Sequence, residues 1–299
     1  MYQSTANLGG PCLKNHFKDV LLVIIFHYAF YDTLPLILTN YQGAFARIAI
    51  CGPSSSNSYD IIVVEHHSGY YGYECLGKAV RLNPGLEGYF YVNDDMIVNW
   101  WNFVKFDKNN IWLGAGVTLK KCHRLGERPL KKDWMWWTYT SGAEHCEKTY
   151  EELKSVVDGN KGVRMNVKEM LSTALRNGKN EELCFKGWSD IFYVPARFSD
   201  RFQYLSEMFF RNKVFLEISV PTMLSLLDLQ TNWEKAYGTY LPDKYGFVDF
   251  IKGEHPWREY SVDKTLFVHP VKYHAKTANV NREKYRTIVA PYGRKFLQC

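Results

Sequence analysis

The stretch Asp19–Phe26, DVLLVIIF, constrains the fold more than any other. It is β-prone and almost uninterrupted by polar residues. A strand of that kind must be covered on both faces, which is the situation of a central strand in a parallel sheet. The residues that follow fit this. Asp32 and Thr33 open a predicted helix running to about Tyr41, with Pro35 tolerated in its first turn. Arg47–Cys51 reads as a second strand, closed by Gly52-Pro53 and a serine-rich loop to Ser58, and Asp60–Val64 reads as a third. Tyr70–Arg81 is a predicted helix, stopped by Asn83-Pro84-Gly85, and Tyr89–Val92 is a further buried strand. The order β-α-β-β-α-β predicts an α/β fold with a mostly parallel sheet.

Past Asp107 the pattern is less regular. Ile111–Leu113 and Ile191–Val194 are predicted strands, and Thr265–Val268 is a last one. Helices are expected over Glu147–Val157, Val167–Arg176 and Pro221–Leu229. Asn166 with Glu169 has the spacing of a capping box, and Gly178 suits the position just past that helix. Ser199 is placed as the cap of a helix whose Phe202, Leu205 and Phe209 share one face. Val214–Leu216 is short and apolar. With no internal repeat, low-complexity block or linker, residues 1–299 are expected to form one continuous domain, divided into halves of about 17–106 and 107–299.

Composition narrows the partners. Hydrophobic residues make up 46% of the 299, enough for a substantial core and too many for general disorder. The net charge of +6 is carried by scattered basic residues, so no nucleic-acid partner is expected. Seven cysteines lack any CxxC pair, which argues against structural zinc; one or two disulfides remain open. No N-x-S/T sequon occurs. The apolar run Val20–Phe26 is too short to span a bilayer, and Met1–Gly10 resembles neither a signal peptide nor an anchor, so a soluble chain is expected.

Chemistry is concentrated where the strand Tyr89–Val92 runs into Asn93-Asp94-Asp95. Adjacent carboxylates repel, and a hard divalent cation relieves that by taking oxygen ligands. Ligands of open α/β sheets also bind beyond the carboxyl ends of the strands. The competing reading is a solvated turn with one Asp capping the next segment.

This opening, with paired acids at a strand end, resembles a glycosyltransferase of the GT-A type, whose D-x-D motif holds Mn2+ or Mg2+ against the diphosphate of a nucleotide sugar. The first acid of that motif is Asn93 here, a departure. Asp95 falls where the main metal ligand of the family sits. Further segments follow in the family's order: Gly187–Pro195 resembles its acceptor-side strand, Val214–Pro221 a segment that carries a catalytic acid, and Phe267–Lys272 a late histidine that completes the metal shell. The resemblance runs from about Asp19 to Lys272. It implies a GT-A-like, Rossmann-type, mostly parallel central sheet flanked by helices, with an irregular acceptor-side half.

Roles for single residues follow from the resemblance and from their chemistry. Asp95, Asp94 and His269 are the expected metal ligands. Lys272 either meets the diphosphate as a point charge or is an ordinary solvated lysine. Glu217 interrupts an apolar run, where a carboxylate is costly unless paired or functional; it serves as a general base or sits in a salt bridge. Asp190, among aromatic residues, is its rival for the acceptor hydroxyl. Tyr28, in the loop after the first strand, stacks on the nucleotide base or packs inward. Trp134–Tyr139 forms either an acceptor platform or core. Glu65-His66-His67 is read as structural, because strand neighbours point to opposite faces.

The resemblance thus implies a metal-dependent transfer of a sugar from a nucleotide-diphosphate donor to a hydroxyl of a glycan, glycoprotein or glycolipid, in the Golgi or another secretory lumen. The alternatives are a catalytically inactive GT-A-like module that binds a glycan or protein, supported by the departure at Asn93, and a metal-dependent phosphohydrolase or nucleotidyltransferase.

Overall fold

The computed structural model describes residues 12–114, 122–158, 165–241, 255–258, 260–274 and 278–298. Its strands are β1 (Phe17–Ile25), β2 (Phe45–Gly52), β3 (Ile61–Val63), β4 (Gly88–Asn93), β5 (Ile97–Val98), β6 (Trp112–Leu113), β7 (His123–Arg124), β8 (Leu183–Cys184), β9 (Ile191–Pro195), β10 (Glu234–Lys235), β11 (Thr239–Tyr240) and β12 (Phe267–His269). The helices used below are α1 (Leu34–Tyr41), α2 (Tyr73–Leu82), α3 (Met135–Thr138), α4 (Ala143–Asp158), α5 (Val167–Asn177), α6 (Ser199–Arg211) and α7 (Leu216–Leu227).

One seven-stranded sheet runs in the order β3-β2-β1-β4-β9-β6-β10. All its strands run one way except β9, which is antiparallel to both β4 and β6. The expectation of an α/β fold built on a mostly parallel sheet holds, and the arrangement is compatible with a Rossmann-like one. Strands from before and after residue 107 share this sheet. β3 pairs only with Ile50–Gly52 at the end of β2, so the short serine-rich loop can join two parallel strands without a crossover helix.

The DVLLVIIF run is central, as its composition requires. Leu21, Val23 and Ile25 face a core shared with α2, α6 and α7; Val20, Leu22 and Ile24 face another, shared with α1, Trp100 and Trp112. Among the described residues, the disulfides Cys51–Cys75 and Cys146–Cys184 tie β2 to α2 and α4 to β8.

Several local expectations differ from what forms. Ser199 is the first residue of α6, and its hydroxyl donates back to the Ala196 carbonyl at 2.8 Å instead of capping a free N–H. Asn166 precedes α5 in a left-handed conformation (φ 52°), with its side-chain amide on the Glu169 carboxylate, so the reciprocal capping box does not close. The helix expected over Pro221–Leu229 starts earlier, at Leu216, and ends at Leu227. This helix, α7, carries Pro221 inside it and is buried along nearly its whole length. Glu65, His66 and His67 lie in the loop beyond β3, not on a strand.

Candidate active site

In the order β3-β2-β1-β4, successive connections leave β1 on opposite sides, and a crevice opens between the carboxyl ends of β1 and β4. Ile25 of β1 pairs with Asn93 of β4, and the Asp94 N–H donates to the Ile25 carbonyl at 2.9 Å. Asn93, Asp94 and Asp95 therefore occupy this crevice. Asp190, just before β9, is brought beside them by the antiparallel pairing: the Asn93 N–H donates to the Asp190 carbonyl at 3.1 Å, and the Asn93 amide to its carboxylate at 2.9 Å.

The third contributor comes from far along the chain. β5 pairs with β12, so the residues after the acids run against Phe267–His269. The Val271 N–H donates to the Asp95 carbonyl at 2.6 Å, and the Asn281 side-chain amide holds the Lys272 carbonyl at 2.9 Å. These contacts set His269 Nε2 at 3.3 Å from Asp95 Oδ1 and 3.6 Å from Asp190 Oδ1, and they place the Lys272 ammonium on Asp95 Oδ2. Of the expected residues, Asp94, Asp95, Asp190, His269 and Lys272 converge. Asn93, noted only as a departure, is a full member of the cluster.

Electrostatics divide the carboxylates. Burial opposes ionisation of Asp95, but Lys272 and His269 outweigh it and hold its pKa well below the usual carboxylate range. Asp94 is pushed well above that range, first by burial and then by the charge of Asp95. Asp190 is raised by burial, with Asp95 adding and His269 opposing. Burial lowers His269, yet Asp190 and Asp95 prevail and raise it. The result is one committed anion, Asp95, flanked by two carboxyls that hold protons more readily.

Several buried polar atoms here have no hydrogen-bond partner: Asn93 Oδ1, Asp95 Oδ1, Asp190 Oδ2, His269 Nδ1, Tyr91 Oη and Tyr240 Oη. Buried polar groups are normally satisfied, so such a concentration marks a place built for a polar ligand. Among the described residues no group of three or more His, Cys, Asp or Glu side chains is disposed to hold a metal by itself. Two protein ligands are another matter. The 3.3 Å between Asp95 Oδ1 and His269 Nε2 is close to the roughly 3 Å separating adjacent ligands of an octahedral cation with bonds of about 2.1 Å. A cation that takes phosphate oxygens and water for its other positions fits this pair.

Glu217 reaches the neighbourhood through α7. Pro221 has no N–H to give the Glu217 carbonyl, and the Gly187 N–H donates there instead, at 3.1 Å. That bond ties the first turn of α7 to the segment leading into β9. Glu217 is half-buried, and with Asp190 it adds to the burial that raises the Tyr240 hydroxyl pKa. Tyr240 was not foreseen; only its place in a short aromatic stretch hinted at it. Its ring stacks on the half-exposed indole of Trp188, with centroids 4.5 Å apart and planes at 24°.

Tyr28 is more than half exposed in the loop after β1, so it is not packed inward. His27 beside it is half-buried and His66 buried, with ring centroids 6.0 Å apart. The Trp134–Tyr139 cluster splits: Trp137 is buried and Trp136 stacks on Phe215, while Met135 and Tyr139 stay exposed.

No protein-family model matches the chain. Two Arabidopsis thaliana proteins align with it, named probable glycosyltransferase STELLO2 and probable glycosyltransferase STELLO1, each 25% identical over 187 and 186 residues respectively. Each alignment covers 62% of this chain and 22% of the relative, so the aligned part spans about a fifth of the length of the curated relatives. The relationship is distant. No helix among the described residues is long and apolar enough to cross a membrane.

Proposed function

We propose that this chain is a divalent-cation-dependent glycosyltransferase of the GT-A type, moving a sugar from a nucleotide-diphosphate donor to a hydroxyl acceptor. The observation that carries the reading is the convergence of Asp95, His269, Lys272, Asp94 and Asp190 on one crevice, with unpartnered oxygens on Asn93, Asp95 and Asp190. Asp95 and His269 would hold Mn2+ or Mg2+, with Asp94 behind them. When bound, such a cation neutralises the diphosphate so that it can leave.

The chain's own residues do the rest. Lys272, which lies on the Asp95 carboxylate, would meet the diphosphate as a point charge. Tyr28 offers an exposed ring to the nucleotide base. Asp190 takes the proton of the acceptor hydroxyl at its unpartnered Oδ2, a role suited to a carboxylate of raised proton affinity. Glu217 is the second carboxylate on the acceptor side. The buried disulfides Cys51–Cys75 and Cys146–Cys184 fit an oxidising compartment, in keeping with a Golgi or other secretory lumen.

One observation favours a second reading, an inactive module that binds a glycan or protein partner. The Lys272 ammonium already neutralises Asp95, and Asn93 stands where an acid would otherwise be. A thermal-shift panel of nucleotide sugars with and without Mn2+ separates the two. A specific donor that raises the melting temperature only with metal supports the enzyme. Glycan binding without metal, and no response to any donor, supports the module.

A further inference from the structure

Trp188 precedes Asp190 by two residues and is the most exposed tryptophan among the described residues, at 37%. Folding buries most of an indole where it can, so one left open beside a buried carboxylate needs a reason. The backbone around it is held at both ends. The Gly187 N–H donates to the Glu217 carbonyl at 3.1 Å, and the Asp190 carbonyl accepts the Asn93 N–H at 3.1 Å. Between those points Ser189 is fully buried, with its hydroxyl on the Gly187 carbonyl at 3.0 Å. Trp188 is the residue that this short bridge leaves turned outward.

The indole itself is braced. Its ring stacks on Tyr240, with centroids 4.5 Å apart and planes at 24°. Tyr240 is held in turn: it lies opposite His269 in the β11–β12 pair, and its ring stands edge-on to Phe267 at 5.3 Å and to His269 at 5.8 Å. Gly114, just after β6, makes room for it, since a Cβ there would come within 2.9 Å of Tyr240 Oη. The contacts Trp188–Tyr240–His269 put the indole on the wall of the crevice, and Asp190 Oδ1 lies 3.6 Å from His269 Nε2 on that same wall. An indole fixed in this way loses little freedom when a ligand stacks on it.

An open indole selects ligands with a flat apolar surface. Among hydroxyl compounds, a pyranose with equatorial substituents has one, because its ring faces carry C–H bonds and its hydroxyls lie around the rim. Stacked on Trp188, such a ring turns a rim hydroxyl toward the unpartnered Oδ2 of Asp190. A serine side chain or the chain of a lipid alcohol has no such face. We infer that the acceptor is a glycan, and that the sugar receiving the transfer is a pyranose with an unbroken C–H face seated on Trp188. This rests on the glycosyltransferase reading and names the acceptor class for it.

The test is ligand-observed NMR titration of the whole chain, with Mg2+ and a mixture of the common nucleoside diphosphates present. The probes are methyl β-xyloside, methyl β-glucoside and methyl β-N-acetylglucosaminide. The controls are methyl α-mannoside, whose axial oxygens interrupt both ring faces, and a serine peptide. At least one β-glycoside should bind about tenfold more tightly than either control. Trp188→Leu keeps an apolar side chain without the flat face and should weaken that binding about tenfold, while Trp188→Phe should restore most of it. Binding of no β-glycoside, equal binding of the controls, or an unchanged affinity in Trp188→Leu overturns the inference. So does a melting temperature that falls in both variants with no difference in affinity between them, which assigns the tryptophan to structure. Calorimetry of the nucleotides with and without metal keeps the two readings apart. Trp188-dependent glycoside binding without nucleotide binding refutes the enzyme alone; metal-dependent nucleotide binding without glycoside binding refutes this inference alone.

Discussion

The pairing of Lys272 with Asp95 makes a quantitative prediction about stability. Asp95 is buried, and the side chain of Lys272 is 38% exposed. Two unit charges in hydrogen-bond contact, about 3 Å apart, attract by roughly 5 kcal/mol at an effective dielectric of about 20. Exposure of the lysine lets water screen the pair, which reduces this to about 2–3 kcal/mol. Lys272→Met leaves a buried carboxylate with His269 as a remaining neighbouring cation, so it should destabilise the fold by about that amount. Asp95→Asn should cost less, about 1 kcal/mol, because the ammonium can turn to solvent. The double variant should be close to Asp95→Asn alone, giving a coupling energy of about 2 kcal/mol. Urea unfolding of the four proteins in a chelator measures this. The cycle isolates the pair from whatever else Lys272 touches. A coupling below about 0.5 kcal/mol would refute the claim that the lysine neutralises Asp95.

Two further outcomes follow. Burial lowers the His27 pKa to about 4, so the folded state keeps this histidine neutral while the unfolded chain, at its ordinary 6.5, binds a proton first. Its contribution is present above pH 6.5 and is lost as pH falls through 4, by about 3 kcal/mol in all. His27→Gln should flatten the dependence of urea midpoints on pH in that window; an unchanged slope would show that His27 is not held neutral. Gly88→Ala places a Cβ 1.9 Å from Tyr193 Oη and 2.2 Å from its Cζ, in a ring already stacked on Trp112 with centroids 4.1 Å apart. That ring has little room to retreat, so a loss of about 2–3 kcal/mol in chemical unfolding is expected, and a neutral effect would contradict the packing described.

The parts of the fold visible in the sequence were those written in local pattern. DVLLVIIF could only be a strand covered on both faces, and the strand ending in Asn93-Asp94-Asp95 was placed by its apolar residues and its abrupt change to acid. The residues that gather around those acids were harder to see, because their meeting depends on pairings across long stretches of chain. Asp190 arrives through the antiparallel β4–β9 ladder, and His269 through β12 on β5. Neither partner choice is encoded in residue type. Caps failed for a related reason. Ser199 and Asn166 are capping residues by composition, but their hydroxyl and amide found the Ala196 carbonyl and the Glu169 carboxylate first. Pro221 reads as a helix start. In the fold it lies inside α7, because Gly187 takes the bond that the proline cannot give. Tyr240 and Trp188 stood out neither by charge nor by motif.

The proposed transfer requires a cation held between Asp95 and His269 when a diphosphate enters the crevice. Isothermal calorimetry of nucleoside diphosphates against the purified chain, with Mn2+ and then with a chelator, measures that most directly. Binding that needs the metal and disappears in Asp95→Ala is the predicted result. Equal binding with and without metal, or none with any nucleotide, would contradict it.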